Sequence, residues 1–199
     1  MIFLALSVGG SLSTERLLQA YTMGLFPWFE EEGIPFWFSP DPRCVLYPAN
    51  LKVSKSMQSL FRQQAFLVTT NQAFEDVIAA CAETPRPGQD DTWISDAFIH
   101  AYGEFHKAGY AQSVEVWDHT GTLVGGLYGV RIGNIFFGES MFSRMSNASK
   151  YGFIHYVRDL ERSGVVLIDC QQATPHLISL GAVNIARQTF LDSIAHLRS

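Results

Sequence analysis

Residues 111–143 read AQSVEVWDHTGTLVGGLYGVRIGNIFFGESMFS, and the fold turns on them. "AQSVEVWD" (111–118) and "LVGGLYGVRI" (123–132) flank a turn at "HTGT" and predict a β-hairpin. "NIFFGESMFS" (134–143) predicts a further strand. "NASKYGFIHYVRDLERSG" (147–164) then predicts a helix, with Asn147 as cap and Gly164 as stop. The β-branched, aliphatic run Val165–Ile168 predicts a buried strand. Hairpins followed by strand, helix and strand imply an α+β domain with a mixed sheet. The paired glycines of "GGLYGV" thin one strand, which permits a bulge or close approach by a ligand.

Working outward, "SKSMQSLFRQQ" (54–64), "AFEDVIAACAE" (73–83) and "TWISDAFIHAYGEFHKAG" (92–109) predict helices, the last capped by Ser95. "AFLVTTN" (65–71) predicts a strand. Near the start, "TERLLQAYTMG" (14–24) predicts a short helix. "LFPWFEEEGIPFWFSPDPR" (25–43), with its aromatics, prolines and acidic triplet, predicts a loop-rich segment. The expected organisation is a small N-terminal domain over residues 1–45 and a larger domain over 46–199.

Hydrophobic residues make up 47% and charged residues 17%, enough to bury a core and unlike a disordered chain. The net charge of −5 argues against a protein that grips nucleic acid mainly through phosphates, unless a local patch does so. Three widely spaced cysteines (Cys44, Cys81, Cys170) suggest a reducing compartment. The six histidines form no metal-ligand spacing with them, so no metal and no cofactor are expected. "MIFLALSVGG" lacks the basic flank of a signal peptide, and no run approaches the roughly 18 residues of a membrane span. The expected location is the cytoplasm.

Three features resist a core-only explanation. Asp169 and Gln171 follow the apolar run of 165–168, and strand alternation points them to one face and Cys170 to the other. They read either as a strand end meeting water or as a polar pair aimed into a cleft. Trp28 in "FPWF" and Trp93 in "DDTWIS" read as core plugs or as flat surfaces for stacking a base. Glu139 lies within an apolar strand, where alternation places it with Phe137 and Met141. That position is costly without a cationic partner.

The segments "GGSLSTERLLQAYTMGLFPWF", "WFSPDPR", "TPRPGQDDTWIS", "GGLYGV", "FFGESMFSRMSNASK" and "LIDCQ…HLISLGA" resemble the leucyl/phenylalanyl-tRNA–protein transferase family, in the family's order and over about residues 9–190. The resemblance implies a GNAT-like mixed β-sheet flanked by helices, with a small N-terminal domain. It implies transfer of leucine, phenylalanine or methionine from the 3′ end of an aminoacyl-tRNA to proteins beginning with Arg or Lys. The product is an N-end rule degradation signal. It further implies Asp169 and Gln171 as the catalytic pair, Glu139 as the acidic strand residue, and Trp28, Trp93 and nearby Tyr21 around the terminal base. Leu127, Phe136, Met141, Tyr156 and Leu160 would line the aminoacyl slot, and Lys55 and Arg62 would meet the tRNA backbone.

This chain departs from the family's usual pattern at Ser11, Leu127 and Leu160, and its second helix carries a reduced basic cluster. Because an aminoacyl ester is already activated, positioning suffices and no covalent nucleophile is required. On this reading the Gln171 carbonyl accepts a hydrogen bond from the attacking amine, Asp169 orients the Gln171 amide and favours loss of the amine's proton, and Glu139 binds the acceptor's cation, either its Arg or Lys side chain or its α-ammonium. Cys170 reads as core and His176 as structural. Monomer is the expected state, and no membrane partner is expected. Two other readings stand beside this one: an acetyl-CoA-dependent N-acyltransferase, disfavoured because "RIGNIFFG" lacks the pyrophosphate-turn spacing, and a catalytically silent binder of RNA 3′ ends.

Overall fold

The computed structural model describes residues 6–84 and 94–198. A three-stranded antiparallel sheet, ordered β1-β3-β2, combines β1 (Ser7–Val8), β2 (Phe26–Glu31) and β3 (Ile34–Phe38). Helix α1 (Thr14–Thr22) precedes β2, and the Ser13 side chain caps it by accepting from the Arg16 amide. The segment expected to be loop-rich is therefore largely a hairpin. Its aromatics alternate with turn formers, and Phe29 stacks on Phe36 across the two strands at 4.9 Å.

The second sheet has seven strands. β4 (Arg43–Leu46), β5 (Leu67–Thr70), β6 (Ala111–Trp117), β7 (Leu123–Ile132), β8 (Ile135–Ser143), β9 (Leu167–Gln171) and β10 (Val183–Ile185) are ordered β10-β4-β9-β8-β7-β6-β5. Every pairing is antiparallel except β8–β9, which helix α5 (Ala148–Arg162) connects. β4 spans the expected boundary at residues 45 and 46 and is a strand of this larger sheet.

The other helices are α2 (Lys55–Arg62), α3 (Phe74–Ala82), α4 (Asp96–Lys107), α6 (Pro175–Ser179) and α7 (Arg187–Ser193). One face of the sheet buries Tyr128, Phe137 and Leu167 with α1, α3, α4 and α7. The other buries Leu127, Phe136 and Ile168 with α2 and α5.

Several local expectations are met and one is corrected. Ser95 caps α4 through the Phe98 amide, and Gly164 ends α5 with a φ of 85°. Asn147 sits at the cap position of α5 in left-handed conformation but makes no side-chain cap bond. The paired glycines do sit beside a bulge, where Val116 faces Gly125 but Trp117 faces Leu123, and they allow close packing within the protein. A Cβ on Gly125 would lie 2.8 Å from the Ala148 Cβ, and one on Gly126 would lie 2.7 Å from the Val114 carbonyl.

Candidate active site

β8 and β9 run parallel only as far as the pair Phe137–Asp169. At that level each strand carries an irregularity. Tyr128 faces Ser140 while Gly129 faces Gly138, so Glu139 is an extra residue bulged out of β8. Cys44 faces Gln171 while Val45 faces Asp169, so Cys170 is the extra residue of β9. A bulge bends its strand and re-aims the side chains beside it. Two bulges at one level, on strands that are parting, bring Glu139 and Gln171 together: the Gln171 Nε2 donates to Glu139 Oε1 at 3.0 Å.

The bulge in β8 overturns the simple alternation. Phe137 packs in one core and Met141 against the other, so Glu139 does not share one continuous face with both. Nor, among the described residues, does Glu139 have a cationic partner. Its Oε1 also accepts from the Tyr21 hydroxyl at 2.7 Å, and its Oε2 accepts from Tyr102 at 3.3 Å. The two tyrosine hydroxyls lie 2.5 Å apart. Burial pushes the Glu139 carboxyl up to about 7; the Tyr21 bond opposes this and the Asp169 charge reinforces it. Burial first, and then the Glu139 charge, holds both tyrosines well above their usual range.

The cation belongs to Asp169. Arg43 Nε donates to Asp169 Oδ1 at 2.8 Å and its Nη2 to Oδ2 at 2.6 Å, with both side chains fully buried. The guanidinium lies 4.9 Å from the Phe26 ring centroid and 4.5 Å from that of Phe190. Asp169 Oδ1 also accepts the backbone N–H of Gln171 at 2.9 Å. That bond secures Gln171 at a φ of 59°, in the left-handed region that costs a non-glycine residue roughly 1 kcal/mol or more. Asp169 therefore orients the Gln171 backbone, and Glu139 orients its side-chain amide. Sequence reasoning missed Arg43. Its signal was an arginine opening the otherwise apolar run "RCVL", where burial requires a carboxylate.

The strands part over a cavity of about 710 Å³. Seven of the expected residues line it: Trp28, Leu127, Phe136, Glu139, Met141, Asp169 and Gln171. Trp28 is half-buried, edge-on to Phe38 at 5.0 Å, so one tryptophan both packs and lines the cavity. Tyr21 has no exposed surface and stands behind Glu139 instead of meeting a base.

Tyr156 and Leu160 are buried and do not line the cavity. Tyr156 backs Phe136 edge-on at 5.2 Å and donates its hydroxyl to Gln112. Phe153, one turn earlier on α5, and Ile168 on β9 line the cavity instead. Cys170 is partly exposed on the cavity wall and His176 also lines it, so neither is purely core. Lys55 and Arg62 are exposed on α2, away from the cavity lining. Trp93 lies outside the described residues.

Among the described residues, no group of three or more His, Cys, Asp and Glu is placed to hold a metal ion. Among them, too, no helix is long and apolar enough to cross a membrane.

A mixed sheet with one parallel pair, a helix joining those two strands and a pocket opening where they part define a mixed α+β fold with a small N-terminal sheet. A conserved protein of unknown function from Bacteroides thetaiotaomicron has a similar fold, with a TM-score of 0.50 at 14% identity over 73% of this chain and 57% of its own. Sequence comparison goes further. The family model described as leucyl/phenylalanyl-tRNA protein transferase matches residues 45–195, and the model of that family's N-terminal domain matches residues 10–41. A relative from Pseudomonas fluorescens (strain Pf0-1), named leucyl/phenylalanyl-tRNA–protein transferase, is 57% identical over 96% of this chain and 83% of its own length. One of the same name from Syntrophobacter fumaroxidans is 53% identical over 96% and 81%. The chain belongs to the leucyl/phenylalanyl-tRNA protein transferase family.

Proposed function

We propose that this chain moves leucine, phenylalanine or methionine from an aminoacyl-tRNA to the N-terminal Arg or Lys of an acceptor protein. The product is a degradation signal of the N-end rule pathway, and the reaction takes place in the cytoplasm. The observation that carries this reading is the Glu139–Gln171 contact at the mouth of a largely apolar cavity, in a chain of this family.

A carboxylate can only accept, so an ionised Glu139 fixes the Gln171 amide with its NH₂ inward. The Gln171 carbonyl oxygen is then turned outward and accepts a hydrogen bond from the attacking α-amine. The amine must be neutral to attack; as the tetrahedral intermediate collapses, the ester C–O bond breaks, and the one proton the nitrogen gives up goes to the departing ribose oxygen, which leaves as the hydroxyl of the free tRNA. Trp28 stacks the terminal adenine, and Leu127, Phe136, Met141, Phe153 and Ile168 receive the aminoacyl side chain. Glu139 also meets the acceptor's cation, which adds to the three neutral donors that hold its charge and leaves the Gln171 bond in place. Catalysis on this reading is positioning, which brings amine and ester together in the right geometry.

The test is transfer of labelled leucine from charged tRNA to peptides beginning with Arg, Lys or Ser. Labelling of the Arg and Lys peptides alone supports the reading. Labelling of none, or of all three alike, overturns it.

A further inference from the structure

Two of the three cysteines meet beside Gln171. Cys44 lies on β4 and Cys170 on β9, which are neighbouring antiparallel strands. Cys170 is the extra residue of the β9 bulge, so Cys170 and Gln171 together oppose Cys44. Both cysteines join the apolar cluster on the α2 and α5 face of the sheet, Cys44 buried within it and Cys170 packed against it. Opposed Cα atoms of adjacent antiparallel strands lie about 4.5–5.5 Å apart, inside the roughly 4.4–6.8 Å that a disulfide spans. Cys81 is buried on α3, in the core on the other face.

The two thiols are hydrogen-bond partners. That bond is the main reason that Cys44 is held below its usual range; the same bond, and then burial, pushes Cys170 well above. Cys170 lines the cavity, whereas Cys44 has no exposed surface. A small oxidant entering the cavity therefore meets Cys170, and the sulfur in reach behind it is Cys44. Transfer as proposed above uses neither thiol.

We propose that Cys44 and Cys170 form a dithiol oxidation site for hydrogen peroxide, and that their disulfide arrests transfer by displacing Gln171. The Cys170 sulfur attacks one peroxide oxygen, the O–O bond breaks, and the departing hydroxide takes the thiol proton as water. Cys170 is then a sulfenic acid, oxidised by two electrons as the peroxide is reduced. The Cys44 sulfur attacks the Cys170 sulfur, the S–O bond breaks, and hydroxide leaves with the Cys44 proton as a second water. The raised Cys170 thiol makes the first step slow, and the lowered Cys44 thiol favours the second. A disulfide draws its sulfurs to about 2.05 Å, which pulls the bulge toward β4. Gln171 is the next residue, set at a φ of 59° with its N–H on Asp169, and a shift there takes its side-chain amide off Glu139.

The inference rests on the transferase reading for its activity readout, while the link itself is read by mass. The test exposes the reduced protein to excess hydrogen peroxide over time and follows peptide masses and single-turnover leucine transfer together. The expected result is a linked Cys44–Cys170 peptide, two hydrogens lighter than its parts, that accumulates as transfer falls. Fully linked protein should be about 10²-fold slower, the cost of a misplacement of about 1 Å, and dithiothreitol should restore it. Cys44→Ala should transfer like the parent when reduced and form no link. Its Cys170 goes on to sulfinic acid, a change that dithiothreitol does not reverse. Cys170 left unlinked after prolonged exposure of the parent would overturn the site. So would linked protein that transfers at the reduced rate, or a reversible arrest that persists in Cys44→Ala. The link and its reversal are read on the parent, so the result does not depend on how well the variant folds. If the reduced parent transfers nothing, the transferase reading fails, and the peptide masses still decide whether the link forms.

Discussion

Asp169→Asn should act first on stability. The aspartate balances a fully buried Arg43 through two charge-assisted bonds and also accepts the Gln171 backbone N–H. Asparagine keeps the shape and one acceptor oxygen, but it removes the charge and turns a donor toward Arg43. Breaking a buried ion pair from one side costs about 3–5 kcal/mol, because the remaining charge is left without compensation. In a chain of this size each kcal/mol lowers the melting temperature by roughly 2–4 °C, so a fall of roughly 6–20 °C is expected. Thermal and urea unfolding measure it. Replacing both partners, as in Arg43→Met with Asp169→Leu, should recover much of the loss, since apolar replacements of a buried pair are often neutral. Assayed well below its melting point, Asp169→Asn should keep transfer within about 10-fold, because its oxygen can still hold the Gln171 backbone. Stability within about 1 kcal/mol of the parent, joined to a hundredfold fall in transfer rate, would refute this reasoning and return Asp169 to the proton chemistry.

Glu139 titrates near 7 in the fold against about 4.3 when unfolded, so the native state holds the extra proton between those values and stability falls as pH rises through them. Glu139→Gln should therefore flatten the stability profile over pH 4.5–7; an unchanged profile would mean that the carboxyl is not desolvated. The same variant should remove the rise of kcat/KM for an Arg-initiated peptide near pH 7 and leave the limb from the acceptor α-amine, near 7.7–8. Trp28→Ala should weaken an aminoacyl-adenosine mimic by roughly 1–3 kcal/mol and Trp28→Phe by less. Normal mimic binding with easier unfolding would make Trp28 a core plug only. Leucine should be transferred roughly 10- to 200-fold faster than isoleucine or valine, whose branched Cβ collides with the walls set by Leu127, Met141 and Phe153. Comparable rates in a competition between charged tRNAs would move the slot elsewhere.

The parts of this fold written in short-range pattern were legible. The β6–β7 hairpin, the β8 strand and the helix between β8 and β9 follow from alternation, turn residues and helical period. What failed was arithmetic that a single extra residue upsets. Glu139 was assigned a face by counting in twos, and the bulge opposite Tyr128 and Gly129 shifts the count by one. Arg43 pairs with Asp169 across 126 positions of sequence, and no local pattern announces such a partner. Tyr156 and Leu160 lie buried on α5, while Phe153, one turn earlier, reaches the cavity lining. Phe153, Tyr156 and Leu160 form one buried stripe, and which turn reaches the cavity depends on where α5 crosses the sheet. Resemblance supplied the candidates, and the two bulges explain how Glu139 and Gln171 meet.

The central claim is that the Gln171 carbonyl, aimed by Glu139, receives the attacking amine. Single-turnover transfer of leucine from a saturating charged donor to an Arg-initiated peptide by Gln171→Ala tests it most directly. The account predicts a fall in rate of about 10²–10⁴-fold with donor affinity unchanged within about 3-fold. A near-normal rate, or a loss explained wholly by weaker donor binding, would contradict it.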